Sequence, residues 1–257
     1  MYKTILLEKR EGYAIITMNR PREMNALSGE MRSELNDALN HLENEETIRV
    51  LIMTGGEYVF SAGMDIKEMA ALPDEEVAAY FGSILQYLKK IYTYRMPVIA
   101  AVGGIALGGG FNIATVCDLI IASESAIFGH PELKFGLNPL FSPLRQLVGM
   151  AKAKEISMLG EPIGAKEALR IGLVNKVATP EKFMDEAIAM AEGLATRSSR
   201  AIESVKKISV MTEKLDKNSS LELEFEVMVH LFSSPERQIR MSEFMTREYL
   251  SKTSKDK

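Results

Sequence analysis

Pro97-Val98-Ile99-Ala100-Ala101-Val102-Gly103-Gly104-Ile105-Ala106-Leu107-Gly108-Gly109-Gly110-Phe111-Asn112-Ile113-Ala114-Thr115-Val116-Cys117 lies mid-chain, and how it is read decides the fold. From Met96 to Cys117 no residue is charged, a length close to the ~20 residues that cross a bilayer. Its interior argues against a membrane span. Pro97, the glycines at 103, 104, 108, 109 and 110, and the polar Asn112 and Thr115 suit a buried strand, a turn and a helix start. On this reading Val98 to Val102 is the strand, and Phe111 to Val116 is helical.

Outward from this stretch, short apolar runs alternate with helical patterns. Thr4 to Lys9 and Tyr13 to Met18, separated by Arg10-Glu11-Gly12, predict a hairpin. Ser28 is a candidate N-cap for a helix whose apolar positions Met31, Leu35, Ala38, Leu39 and Leu42 recur at helical spacing. Val50 to Met53 reads as a buried strand, and a polar loop runs from there to Gly63. A helix is expected from Pro73-Asp74 to about Tyr94, where Pro97 bars its continuation. Leu119 to Ala122, Ala126 to Phe128 and Val174 to Val177 are again strand-like, after which Thr179-Pro180-Glu181 starts a helix. From Ser198 to about Leu250 the pattern is helical, with breaks near Asp216 to Asn218 and Ser233 to Pro235, and Ser251 to Lys257 is expected to fray. Short strands between longer helices indicate an α/β layered body, here followed by an all-helical tail.

The 257 residues exceed a ~150-residue domain prior, consistent with one large domain and a smaller appendage. Apolar residues make up 46 % and charged residues 26 %, which disfavours disorder and coiled-coil-only architectures. With 31 basic and 35 acidic residues the net charge is −4, and the longest basic clusters are pairs such as Lys89-Lys90 and Lys206-Lys207. A nucleic-acid partner is therefore not expected, because binders carry a basic face. Cys117 is the single cysteine, so an intrachain disulfide and a Cys-rich metal site are excluded and a reducing compartment is expected. Glu8 interrupts the first residues before any run of signal-peptide length develops. The expectation is a cytoplasmic protein with no membrane partner.

The two glycine-containing loops, around Gly63 and around Gly108, are where chemistry is possible. A phosphate-loop reading fails, since Gly109 and Gly110 stand where Lys and Ser/Thr would be needed, and a dinucleotide fingerprint fails at Ile113. One remaining reading is a pair of backbone N–H groups, one from each loop, aimed at a carbonyl oxygen that gains charge during reaction. The other is a set of tight turns that lets strand and helix pack closely.

Several segments, taken together, resemble the crotonase superfamily, the enoyl-CoA hydratase/isomerase family. They are Asn19-Arg20-Pro21 with Asn25-Ala26-Leu27, Phe60-Ser61-Ala62-Gly63-Met64-Asp65-Ile66-Lys67-Glu68-Met69, the stretch from Pro97 to Gly110, Cys117-Asp118, and Phe128-Gly129-His130-Pro131-Glu132. They occur in order, and the resemblance runs from about Tyr2 to Leu250. It implies a crotonase-like spiral of ββα units at 1–190, and a helical trimerisation region at 191–257 that forms a homotrimer or a dimer of trimers. It implies an acyl-CoA thioester as substrate, with coenzyme A as part of that substrate, no separate cofactor and no metal. By position, the oxyanion donors are the N–H groups of Met64 and Gly109. The coenzyme A end of the substrate would lie near Asn25, Ala26, Ala62, Asp65, Ile66 and Lys67, with Lys67 the candidate phosphate contact.

Two departures from the family pattern bear on the reaction. Hydratases of the family use two glutamates that share a water; the second is present as Glu132, but Asn112 occupies the place of the first. A carboxylate relays protons at neutral pH, whereas an amide only positions a water or substrate. A single base resembles the family's isomerases and favours moving a 3-enoyl-CoA double bond to the 2 position, with Glu132 as sole acid/base and a dienolate held by the N–H pair. A base poised near pH 7 needs an apolar setting, for which Phe128, Leu133, Phe135 and Leu137 are the nearby candidates. The second departure is the segment Gly136 to Gly149, shorter than the usual form and free of Asp and Glu. It reshapes the expected acyl pocket of His130, Leu140 and Phe141, and disfavours branches that draw a catalytic aspartate from here. Alternatives at this point are hydration of a 2-enoyl-CoA with Asn112 orienting water, decarboxylation of an acyl thioester, and non-catalytic thioester binding.

Overall fold

The computed structural model describes residues 1–253, with side chains through residue 246. The chain divides into two units, Met1–Ser199 and Arg200–Lys257. In the first, the elements run β1 (Ile5–Lys9), β2 (Gly12–Met18), α1 (Gly29–Glu43), β3 (Ile48–Thr54), β4 (Val59–Ser61), α2 (Ile66–Ala70), α3 (Val77–Tyr92), β5 (Val98–Val102), β6 (Ile105–Leu107), α4 (Gly109–Val116), β7 (Leu119–Ser123), β8 (Ile127–Gly129), α5 (Phe141–Leu159), β9 (Ile163–Gly164), α6 (Ala165–Arg170), β10 (Lys176–Ala178) and α7 (Phe183–Ala195).

Six strands form one sheet in the order β1-β2-β3-β5-β7-β10. The expected hairpin is its antiparallel edge, with Ile5 opposite Met18 and Lys9 opposite Ala14; the other pairs are parallel. Alternate residues point to opposite faces, so the buried strands feed two cores. Ala14, Ile16, Leu51, Met53, Val98, Ala100 and Val102 join the main cluster, to which α1 contributes Met31, Leu35 and Leu39. Tyr13, Ile15, Val50, Ile52, Ile99 and Ala101 face the other way, onto Phe183, Ala187 and Ala191 of α7. Because α7 closes that second face, the first unit extends beyond the boundary expected at residue 190, which falls inside this helix. The helix also begins later than expected: Thr179 to Lys182 form a turn, with the Thr179 carbonyl accepting from the Lys182 and Phe183 N–H groups at 2.9 and 3.0 Å. The last strand, expected at Val174 to Val177, is displaced to β10.

The second sheet, β4-β6-β8-β9, is not among the expectations: β4 lies in the stretch expected as a polar loop, β6 in that expected as a turn, and β9 in a stretch with no assigned element. Its first three strands are parallel, with Ser61 opposite Ala106 and Leu107 opposite Gly129. The uncharged stretch around Pro97 is thus two strands, β5 and β6, and the short helix α4. Among the described residues no helix is long and apolar enough to cross a membrane.

The second unit carries α8 (Ser199–Met211), α9 (Lys217–Phe232) and α10 (Pro235–Thr253), with both expected breaks in place. Asp216 caps α9, accepting from the Asn218 and Ser219 N–H groups at 2.9 and 3.1 Å. Residues 251–253 are helical, and 254–257, the remainder of the segment expected to fray, lie outside the described residues.

Candidate active site

The three loops that carry the candidate residues leave the C-terminal ends of three adjacent parallel strands, β4, β6 and β8. That is why residues near 63, 108 and 132 meet, and it is the usual position for sites on parallel sheets.

The loop after β4 lies against the start of α4. Gly63 has φ +108°, a conformation that side chains rarely adopt, and a Cβ on it would lie 3.1 Å from the Gly109 nitrogen. Leu27 bridges to Met64 through its N–H, which donates to the Gly63 carbonyl at 2.9 Å. Since successive groups alternate in direction along extended chain, the Met64 N–H points away from Leu27. The Gly109 N–H belongs to the first residue of α4 and has no intrahelical acceptor. The two expected oxyanion donors therefore sit on abutting segments. Gly110 makes the approach possible: a Cβ there would lie 2.2 Å from the Ser61 carbonyl oxygen.

Asn25 fixes this arrangement. Its side chain is buried and fully engaged, with Nδ2 donating to the carbonyls of Gly55 (3.0 Å), Val59 (2.8 Å) and Phe60 (3.2 Å) and Oδ1 accepting from the Arg20 N–H (2.8 Å). The backbone at Asn25 has φ +52°, a region that Asn tolerates better than most residues. Its backbone is engaged as well, the N–H donating to the Arg20 carbonyl at 2.9 Å and the carbonyl accepting from Ser61 Oγ at 2.8 Å, so Asn25 shapes the loop rather than offering a free polar group to a ligand. Ala26 gives its carbonyl to the Arg20 guanidinium at 2.7 Å, and the Ala62 N–H donates to the Met24 carbonyl at 2.9 Å. Asp65 caps α2 by accepting from the Lys67 N–H at 3.1 Å, and its other oxygen lies 3.2 Å from Arg20 Nη1. Ile66 and Lys67 are exposed, which leaves the Lys67 ammonium available to a phosphate.

Across the site the polar atoms are not paired. Glu132 follows β8 in a short turn that opens at Pro131, and its Oε1 lies 3.5 Å from where a Gly108 Cβ would be, at the mouth of α4. Its Oε2 is buried without a hydrogen-bond partner. Asn112, one turn into α4, has a buried Oδ1 in the same condition, as do both ring nitrogens of the fully buried His130. His130 Nδ1 is 3.4 Å from Glu132 Oε2, near but not aligned for a hydrogen bond, and the His130 ring packs 4.7 Å from that of Phe111. The apolar surroundings expected for Glu132 are only partly present. Phe128 is buried, Leu137 is half-buried, and Leu133 and Phe135 face solvent because the turn after Pro131 carries them outward. Leu140 and Phe141 are half-buried and pack on the main core, as does Met64.

Arg20 and the pair Arg32 and Glu68 were not singled out in the sequence. Glu68 accepts the Gly29 N–H at 2.9 Å with both oxygens and lies 3.3 Å from Arg32 Nη1, tying α2 to α1. The available signal was Arg32 itself, a charge among Met31, Leu35 and Ala38 on the buried face of α1. A cleft of about 680 Å³ between α1 and α3, lined by Arg32, Asn36, Tyr80, Ser83 and Gln86, includes none of the candidate site residues. Among the described residues no cluster of His, Cys, Asp or Glu has the arrangement of a metal site.

Comparison with known proteins gives a consistent result. The profile of the family described as enoyl-CoA hydratase/isomerase matches residues 8–253. A probable enoyl-CoA hydratase of Rhizobium meliloti is 35 % identical over 249 residues, 96 % of this chain and 96 % of its own. The short-chain-enoyl-CoA hydratase of Clostridium acetobutylicum is 36 % identical over 248 residues, 95 % of each chain. The crystal structure of enoyl-CoA hydratase from Bacillus anthracis superposes with a TM-score of 0.92 at 31 % identity, covering 95 % of this chain and 97 % of that one. The mixed α/β architecture is that of this solved structure.

Proposed function

The chain belongs to the enoyl-CoA hydratase/isomerase family of enzymes, and from that premise we propose that it adds water to the double bond of a 2-enoyl-CoA thioester. The observation that carries this reading is the placement of Glu132 Oε1 at the mouth of α4, with the buried, unpartnered Oδ1 of Asn112 one turn beyond. An unpaired buried acceptor of this kind is suited to hold a water by one of its hydrogens. Glu132 takes the other proton as the water oxygen attacks C3, and the electron pair shifts through C2 onto the thioester oxygen. The Met64 and Gly109 N–H groups hold that oxyanion, each donor contributing about 3 kcal/mol of transition-state stabilisation. Glu132, now an acid, returns its proton to C2. The hydratase names of the relatives support this reading over the isomerase expected from the single carboxylate.

The substitution at Asn112 favours one second reading. With a 3-enoyl-CoA the same Glu132 would remove a C2 proton and return it at C4, with no water needed. The two are separated by offering the purified protein a matched pair of substrates and following conjugated thioester absorbance. Hydration is expected as loss of absorbance from the 2-enoyl-CoA, faster than any gain from the 3-enoyl-CoA. Gain without loss would establish the isomerase instead.

We also infer that the second unit assembles the chain into trimers. Leu221, Phe225, Met228 and Phe232 recur at helical spacing along one side of α9, and all four are exposed. Sedimentation equilibrium is expected to give three times the 28.6 kDa chain mass, or a multiple of that; a monomer would contradict the inference.

A further inference from the structure

We propose that His130 is a positioning residue for Glu132: its Nδ1–H donates to Glu132 Oε2 and so turns Oε1 toward the paired N–H groups of Met64 and Gly109. The inference rests on the reading of Glu132 as the acid/base group. Buried polar atoms in folded proteins are nearly always paired, so a cluster of unpaired ones calls for a physical reason. Here Glu132 Oε2 and both His130 nitrogens are buried without partners, and His130 Nδ1, at 3.4 Å, is the potential donor beside Oε2. Hydrogen bonds of catalytic groups are commonly long or misaligned before substrate binds and tighten in the complex. The Phe111 ring, 4.7 Å from the imidazole, fixes the plane of the His130 side chain.

The two carboxylate oxygens then have different tasks. Oε2, held by the imidazole, is the anchored oxygen, while Oε1, beside Gly108, is the one free to take and return a proton. In a site with a single carboxylate, where the same group must both accept and deliver, a fixed orientation matters more than where two carboxylates divide the work. The hydrogen bond also sets the tautomer: with Nδ1 protonated, Nε2 is left as an acceptor.

The chain contains three histidines, His41, His130 and His230, of which only His130 is buried, so its ring can be observed directly. Long-range ¹H–¹⁵N correlation spectra of the protein are expected to show His130 as the Nδ1–H tautomer. Glu132→Ala should shift the His130 ring nitrogens and leave those of the other two histidines in place. An Nε2–H tautomer, or His130 signals indifferent to Glu132→Ala, would overturn the proposal. In kinetics, His130→Phe should lower kcat by about 100-fold, the order of loss for a misplaced reacting group, with KM little changed. His130→Gln, which keeps a donor, should recover most of that loss. Wild-type kcat in His130→Phe, or an effect on KM alone, would also overturn it. If the wild-type chain turned over neither a 2-enoyl- nor a 3-enoyl-CoA, the reading of the reaction would fall, and the ring tautomer would still decide the role of His130.

Discussion

Along one wall of the site, built by Asn25, Arg20 and Asp65 with the loop after β4, the buried side-chain polar groups are paired. Along the opposite wall, at Asn112, His130 and Glu132, four buried polar atoms have no partner. The first wall shapes backbone: its bonds and glycine contacts hold the loop after β4 against the start of α4, the placement that the proposed pair of oxyanion donors requires. The second wall carries side chains whose unmet hydrogen-bonding capacity is what a substrate or water would use. If the first wall serves stability and the second the choice of reaction, substitutions separate the two.

The largest effect is expected on the first wall. Gly110→Ala would drive a Cβ to within 2.2 Å of the Ser61 carbonyl, a backbone clash that no rotamer relieves. We expect destabilisation at or above the upper end of the ~1–3 kcal/mol typical of overpacking, together with loss of activity, measured by urea unfolding and turnover. Asn25→Ala comes next. It would strip partners from the Gly55, Val59 and Phe60 carbonyls, at a cost of about 1–3 kcal/mol for leaving buried groups unsatisfied, and would lower Tm by several degrees. A normal Tm in this variant would break the assignment of that wall to stability. The smallest of these three effects is that of a substitution at Asn112, on the second wall. Asn112→Glu, which supplies a second carboxylate, should leave Tm nearly unchanged and raise the ratio of hydration to isomerisation by roughly tenfold, about 1.4 kcal/mol. No change in that ratio would mean that Asn112 does not contact the water.

How far the site could be read in advance follows the same division. The long apolar runs that became β3, β5 and β7, the Ser28 cap and the breaks of the helical tail were visible as local patterns. The strands β4, β6 and β9 were not: β4 is three residues within a polar loop, β6 is enclosed by glycines, and β9 is two residues long. Those short strands bring the three loops together, so the loops could be named while the reason they converge could not. Asn25 shows the same limit. A polar residue in a loop reads as a ligand contact, yet its hydrogen bonds run to carbonyls about thirty residues away. His130 and Glu132 are neighbours in sequence, but only the turn at Pro131 sets the imidazole and the carboxylate side by side.

In the proposed reaction Glu132 performs every proton transfer. The most direct test is the saturated rate of 2-enoyl-CoA hydration by Glu132→Gln, in protein shown to be folded by its unchanged Tm. A fall in kcat of about 10²–10⁴-fold is expected, the range for losing a general acid/base. A rate within a few-fold of wild type would contradict this role, and would place the proton-transferring group elsewhere.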